Sequence, residues 1–128
     1  MTTKTDAMMH QPKPGEVWQV DLGSVAKVRP FLVLSTVGHS RSVIAGVPCT
    51  ATVRGGPHEI PLPQARSISW ERPTVANVEG LSAINLSQCV RRRGNYDRKS
   101  IEPVYRAILN WLGYKKAPDV EDAEGQEG

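Results

Sequence analysis

Two residues of this chain combine a reactive side-chain type with a position that a strand would fix. Arg29 stands directly before Pro30 and an unbroken apolar run, Phe31, Leu32, Val33 and Leu34. Thr50 follows Pro48 and Cys49 in a stretch that is otherwise β-branched and apolar. A guanidinium stays protonated across the physiological range, so at the end of a rigid strand it is a permanent cation with a fixed address. Its natural complement is an anion. A proline near a strand end suits a bulge or an edge, which would turn the hydroxyl of Thr50 toward the rim. On position alone both residues also have a plainer reading, Arg29 as a solvated or paired surface arginine and Thr50 as a β-former on a strand surface.

The other reactive types say less. Cys49 and Cys89 lie far apart, without C-x-x-C spacing and without a nearby histidine run. Neither a zinc site nor a disulfide framework is indicated, so two free thiols and no metal or cofactor are expected. His10, His39 and His58 have no partners in sequence and read as a solvated arm residue, a loop residue and a strand-edge residue. Arg91, Arg92 and Arg93, followed by Gly94, read as a solvated loop, with contact to nucleic acid or an acidic partner as the sharper alternative.

The charge balance favours a polyanion. The net charge of +3 hides an asymmetry: Asp119, Glu121, Asp122, Glu124 and Glu127 crowd the stretch after Lys116, which holds no base. Residues 1–116 carry all 16 bases and the remaining 8 acids, a net of +8. Such a domain suits nucleic acid, and its acidic tail reads either as solubilising disorder or as a mimic that screens the basic face. No apolar stretch has the length to cross a bilayer, and the first residues lack the apolar core of a secretory signal. A cytoplasmic protein without membrane contact is expected.

The elements that must position Arg29 and Thr50 are short strands. Trp18, Val20 and Leu22 alternate with Val17, Gln19 and Asp21, the period of a half-buried strand. The apolar run after Pro30 suits a strand covered on both faces, with Pro30 at its entrance. Further strands are expected over 43–53, 58–62, 74–78 and 81–84, separated by glycine- and proline-rich turns. One helix closes the chain: Ser100 is its expected cap, Pro103 falls in its first turn, and Ile101, Val104, Tyr105, Ile108, Leu109 and Leu112 recur at helical spacing before Gly113. Trp111 widens that apolar face and suggests contact with a second subunit. The pattern is mainly β with a C-terminal helix, a small antiparallel barrel, with an arm over 1–13, one domain over 14–114 and a tail over 115–128.

Several segments together resemble the MazF/PemK family of toxin endoribonucleases. They are Pro14-Gly15-Glu16-Val17-Trp18-Gln19-Val20-Asp21-Leu22, Val28-Arg29-Pro30-Phe31-Leu32-Val33-Leu34-Ser35 and Pro48-Cys49-Thr50, followed by residues 74–84 and the closing helix. The resemblance implies an SH3-like barrel that forms a homodimer, cuts single-stranded RNA without a metal, and is held inactive by an acidic cognate antitoxin. Arg29 matches the arginine of the family's R-P signature, and Thr50 the hydroxyl residue that ends its third-strand motif. By that resemblance both are catalytic: Arg29 stabilises charge on the scissile phosphate and Thr50 holds the phosphate in line. The implied products are a 2′,3′-cyclic phosphate and a 5′-hydroxyl. The connection before Arg29 departs from the family in being short and free of acids, which bears on sequence preference. Ser24 and Lys27 in it, and Arg54 in the turn after Thr50, are the candidate RNA contacts.

Two alternatives belong to other classes. A non-catalytic toxin similar to CcdB would bind DNA gyrase through the helix end, making Trp111, Gly113 and Tyr114 the positions of interest. An inactive nucleic-acid-binding barrel would show salt-sensitive binding without cleavage. If the acidic tail screens the basic rim, deleting residues 117–128 will raise RNA affinity at low salt; unchanged binding isotherms would remove that role.

Overall fold

The computed structural model describes residues 10–23 and 27–114. Most of the expected arm (1–13), Ser24 and the whole expected tail (115–128) lie outside the described residues. Of the arm's last four residues, Pro12 is fully buried.

Among the described residues, seven strands and one α-helix form a curled, barrel-like sheet with a closing helix: β1 (Glu16–Asp21), β2 (Val28–Val33), β3 (Val43–Thr50), β4 (Glu59–Leu62), β5 (Thr74–Asn77), β6 (Ser82–Asn85), β7 (Cys89–Asn95) and α1 (Arg98–Trp111). The strand order is β4-β5-β3-β2-β1-β7, with β6 also on β3, and all these pairs are antiparallel. β4 and β7, at the two ends of this path, are not paired, so the ring stays open.

The apolar run after Pro30 is covered on both sides, as its composition requires. Phe31 and Val33 join Trp18, Val20, Ile44 and Ile84 in one cluster. Leu32 and Leu34 join Val17, Val47, Cys49, Ala76, Ile101 and Val104 in the other, which α1 covers. β2 nevertheless begins at Val28, before Pro30, because β1 pairs with it as far as Asp21 opposite Val28. Arg29 therefore lies within the strand, opposite Val20.

β3 is the strand that joins the two parts of the sheet. One edge pairs with β2; the other pairs with β6 over residues 43–46 and then with β5 at Cys49 and Thr50. The change of partner spans Pro48, whose missing N–H fits a place where one ladder ends and another begins. Gly80 makes room for the proline ring: a Cβ there would lie 2.6 Å from Pro48 Cγ. β3 ends at Thr50, three residues short of the expected 53, because the Thr52 N–H turns back to Thr50 Oγ1 at 3.0 Å.

Two segments differ from the sequence expectation. The arginine run is no loop: β7 carries it along β1, with register shifts beside Trp18 and Val20. Its side chains lie exposed on an edge strand, where charge keeps other chains from pairing, while Cys89 and Gly94 face inward. The helix is capped three residues earlier than expected, at Asp97 in place of Ser100, and begins at Arg98. Asp97 caps it by accepting the Ser100 N–H at 2.8 Å, and Pro103 sits in the second turn. Ile101, Val104 and Ala107 are buried, whereas Leu109 and Leu112, expected on the packed face, are exposed near Trp111 and Tyr114.

Gly80→Ala will push Cβ into a ring that has no rotamer to escape to, lowering stability by about 1–3 kcal/mol. Denaturant midpoints check this, and adding Pro48→Ala should return part of the loss; additive effects of the two substitutions would refute the contact.

Candidate active site

The β2–β3 register brings the two sequence candidates together. Phe31 lies opposite Pro48, and two residues further along each strand are Arg29 and Thr50. Side chains two apart share a face, so Arg29 follows Phe31 and Val33, and Thr50 follows Ile44, onto the same side of the sheet. Both residues line two adjoining clefts, of about 570 and 480 Å³, which also share Cys49 and Thr52. Together the clefts form one groove with Arg29 and Thr50 on its common wall.

Arg29 is exposed, and no carboxylate among the described residues forms an ion pair with it. Thr50 is half-buried, and Oγ1 accepts the Thr52 N–H. That bond fixes the oxygen and leaves the hydroxyl hydrogen able to donate. Cys49 lies between them in sequence, but burial pushes its thiol up to about 12, so at neutral pH it is no thiolate nucleophile.

The first cleft holds Arg54, His58, Glu59 and Glu79. Glu59 accepts the N–H groups of Arg54, Gly55 and Gly56 at 2.7–3.3 Å and thereby sets the loop that carries Arg54. Those donors, the Arg54 N–H foremost, hold its carboxyl below the usual range. His58 Nδ1 is 2.7 Å from Glu79 Oε2, and Nε2 is 3.4 Å from Asn110 Oδ1 on α1. The hydrogen bond to Glu79 raises the imidazole pKa above its ordinary value.

The second cleft holds Trp70, Glu71, Arg72 and Arg93. The Arg93 guanidinium lies 4.9 Å over the Trp70 ring. Trp70 is fixed at three points: its Nε1–H donates to Tyr96 Oη at 2.8 Å, and its backbone exchanges two 2.9 Å bonds with the Gln64 side chain.

Of the expected RNA contacts, Arg54 lines the groove. Lys27 lines neither cleft: at φ 65° it closes the hairpin, accepting the Leu22 N–H and donating to Gly23 O, and its side chain is exposed. His39 borders a separate depression with Gln11 and Arg41. His58, read from the sequence as a strand-edge residue without a role, belongs to the groove, as do Glu59, Glu79, Trp70, Arg72 and Arg93. Most of these come from segments far from Arg29 in sequence: the pairing of β3, β4 and β5 gathers His58, Glu59 and Glu79, while Arg93 comes from β7 and Trp70 and Arg72 from the connection before β5. No cluster of three or more His, Cys, Asp or Glu side chains suited to a metal occurs among the described residues.

The sequence profile described as PemK-like, MazF-like toxin of type II toxin-antitoxin system matches residues 13–112. Among curated proteins no sequence matches. Several solved structures share the fold. An endoribonuclease in complex with its cognate antitoxin from Mycobacterial species superposes with a TM-score of 0.68 at 19% identity, over 83% of this chain and 99% of that one. MazF in a MazE-MazF structure from Deinococcus radiodurans gives 0.67 at 20%, over 81% and 97%. The Mycobacterium tuberculosis toxin MazF-mt6 gives 0.64 at 21%, over 79% and 99%.

A pKa raised in the folded state means stabilisation that is complete below the unfolded imidazole value of about 6.5 and is lost as pH rises through the folded value. The melting temperature of the native protein will therefore fall between pH 6 and pH 8 by more than that of Glu79→Gln. Parallel curves for the two proteins would show that the His58–Glu79 pair does not contribute.

Proposed function

The chain belongs to the PemK-like, MazF-like toxins of type II toxin-antitoxin systems, and on that footing we propose that it is a cytoplasmic, metal-independent endoribonuclease acting on single-stranded RNA. The observation that carries this reading is the placement of Arg29 and Thr50 side by side on the common wall of the groove.

In this reading the scissile phosphate sits against Arg29 and Thr50. The neighbouring 2′-oxygen attacks phosphorus while the bond to the 5′-oxygen breaks, which gives a 2′,3′-cyclic phosphate and a 5′-hydroxyl end. Negative charge builds on the nonbridging oxygens, and a preorganised guanidinium stabilises it where it develops. Thr50 donates its hydroxyl hydrogen to one of those oxygens and keeps the phosphate in line. The 2′-hydroxyl proton passes to the Glu79–His58 pair, because Glu59, the remaining carboxylate of that cleft, is committed to three backbone N–H groups. The Arg29 guanidinium stays protonated and stabilises the charge on the leaving 5′-oxygen, which takes its proton from solvent.

The same groove gives the antitoxin its seat. An acidic segment laid along it would meet Arg29, Arg54, Arg72 and Arg93 in place of phosphates. Solved relatives are named as complexes with a cognate antitoxin or with MazE, which supports an antitoxin as a partner of this chain. The exposed apolar residues at the helix end, with Leu112 at 63% and Tyr114 at 59% exposure, support a homodimer.

Long single-stranded RNA incubated with the protein in EDTA will be cut, and end mapping will give cyclic phosphate and 5′-hydroxyl termini. Arg29→Ala and Thr50→Ala should each slow cleavage by about 100-fold or more. Equal rates for the native protein and both variants would overturn the assignment.

A further inference from the structure

The two halves of the groove are not equivalent in charge. In the first, two arginines, Arg29 and Arg54, face two glutamates, Glu59 and Glu79. In the second, three arginines, Arg29, Arg72 and Arg93, face one glutamate, Glu71. Phosphates flanking the one held at Arg29 therefore gain more attraction in the second half, and that half also contains the groove's one tryptophan among the described residues.

Resting on the ribonuclease reading above, we propose that Arg93, stacked on Trp70, is a platform for one unpaired base beside the scissile phosphate, with Arg72 gripping the phosphate next to it. The ligand is a nucleotide of single-stranded RNA, held by its flat face and its charge. A guanidinium plane is a surface on which an unstacked base can lie, and one lying over an aromatic ring is already oriented for that contact.

Trp70 is only 8% exposed, so Arg93 presents the accessible surface of the pair. The tryptophan cannot swing away, because its Nε1–H is held by Tyr96 Oη and Tyr96 in turn donates to Pro63 O. β7 comes close enough to the 65–69 turn for this stacking because residue 94 is glycine: a Cβ there would collide with Ser67 O and Ile68 Cδ1. Arg72 is held from behind, its carbonyl accepting the buried Thr74 hydroxyl at 2.9 Å. The neighbouring arginine acts elsewhere: Arg92 pairs with Glu16 at 3.3 Å beside a different depression. Only Arg93 of the three-arginine run lines the groove.

The test uses the Thr50→Ala protein, so that RNA stays intact, and a labelled single-stranded oligoribonucleotide in which each base in turn is replaced by an abasic ribose. Adding Arg93→Ala is expected to weaken binding about ten-fold. One abasic position should weaken binding to the Thr50→Ala protein by a similar factor and have no further effect once Arg93 is alanine. Arg93→Lys will keep the salt dependence of binding, because the charge remains, yet lose the response to that abasic position, because a lysine offers no plane. Arg92→Ala should change affinity less than two-fold. If Arg93→Ala stays sensitive to every abasic position, or Arg92→Ala weakens binding equally, the platform is refuted while the ribonuclease reading stands. Absence of both RNA binding by the Thr50→Ala protein and cleavage by the native one would overturn the two together.

Discussion

The pairing of β3 with β2 is the constraint on which the rest depends. An antiparallel register is quantised, because a slip of one residue turns every side chain on the slipped strand to the other face. Here the register is held by burial on both sides at once. Phe31, Val33 and Ile44 are committed to one cluster, while Leu32, Val47 and Cys49 are committed to the other. A slipped β3 would bring Thr50 to the wrong face and would also pull Val47 and Cys49 out of the core. The position of one hydroxyl is thus secured by residues whose own side chains are committed to the core.

Much of this was legible in the sequence because burial leaves a period. The alternation around Trp18 and Val20, the apolar run after Pro30 and the helical spacing of Ile101, Val104 and Ile108 all describe what faces the core. Arg29 and Thr50 were singled out because Pro30 follows the first directly and Pro48 stands two residues before the second, each marking a strand position, while their roles came from the family resemblance. β7 was not found, because an edge strand carrying Arg91, Arg92 and Arg93 outward has the composition of a loop, and its one strong signal, a glycine required by close packing against Ser67, looks like a breaker in isolation. The helix cap was misplaced since Asp97 and Ser100 are both good capping residues, and only the direction of the hydrogen bond separates them.

The polar part of the groove was hidden for a different reason. His58 and Glu79 are 21 positions apart and meet only because β4 pairs with β5, placing Glu59 opposite Asn77. Lys27 shows the opposite relation. It is near Arg29 in sequence, but a positive φ at the foot of the hairpin commits its backbone to closing the turn, and its side chain lines neither cleft. Sequence distance is a poor guide to a site built across strands.

Pro48 links these themes. In the middle of a sheet a proline normally weakens a ladder, since it cannot donate. Here it falls where β3 leaves β6 and takes up β5, so the missing donor coincides with a break that the topology already requires. The ring also occupies the space above Gly80, directly after Glu79, and its own segment leads into Thr50. One rigid residue therefore ties the hydroxyl side of the groove to the carboxylate side. A more flexible residue would leave those two sides free to drift apart, and the spacing between Thr50 and Glu79 would no longer be fixed.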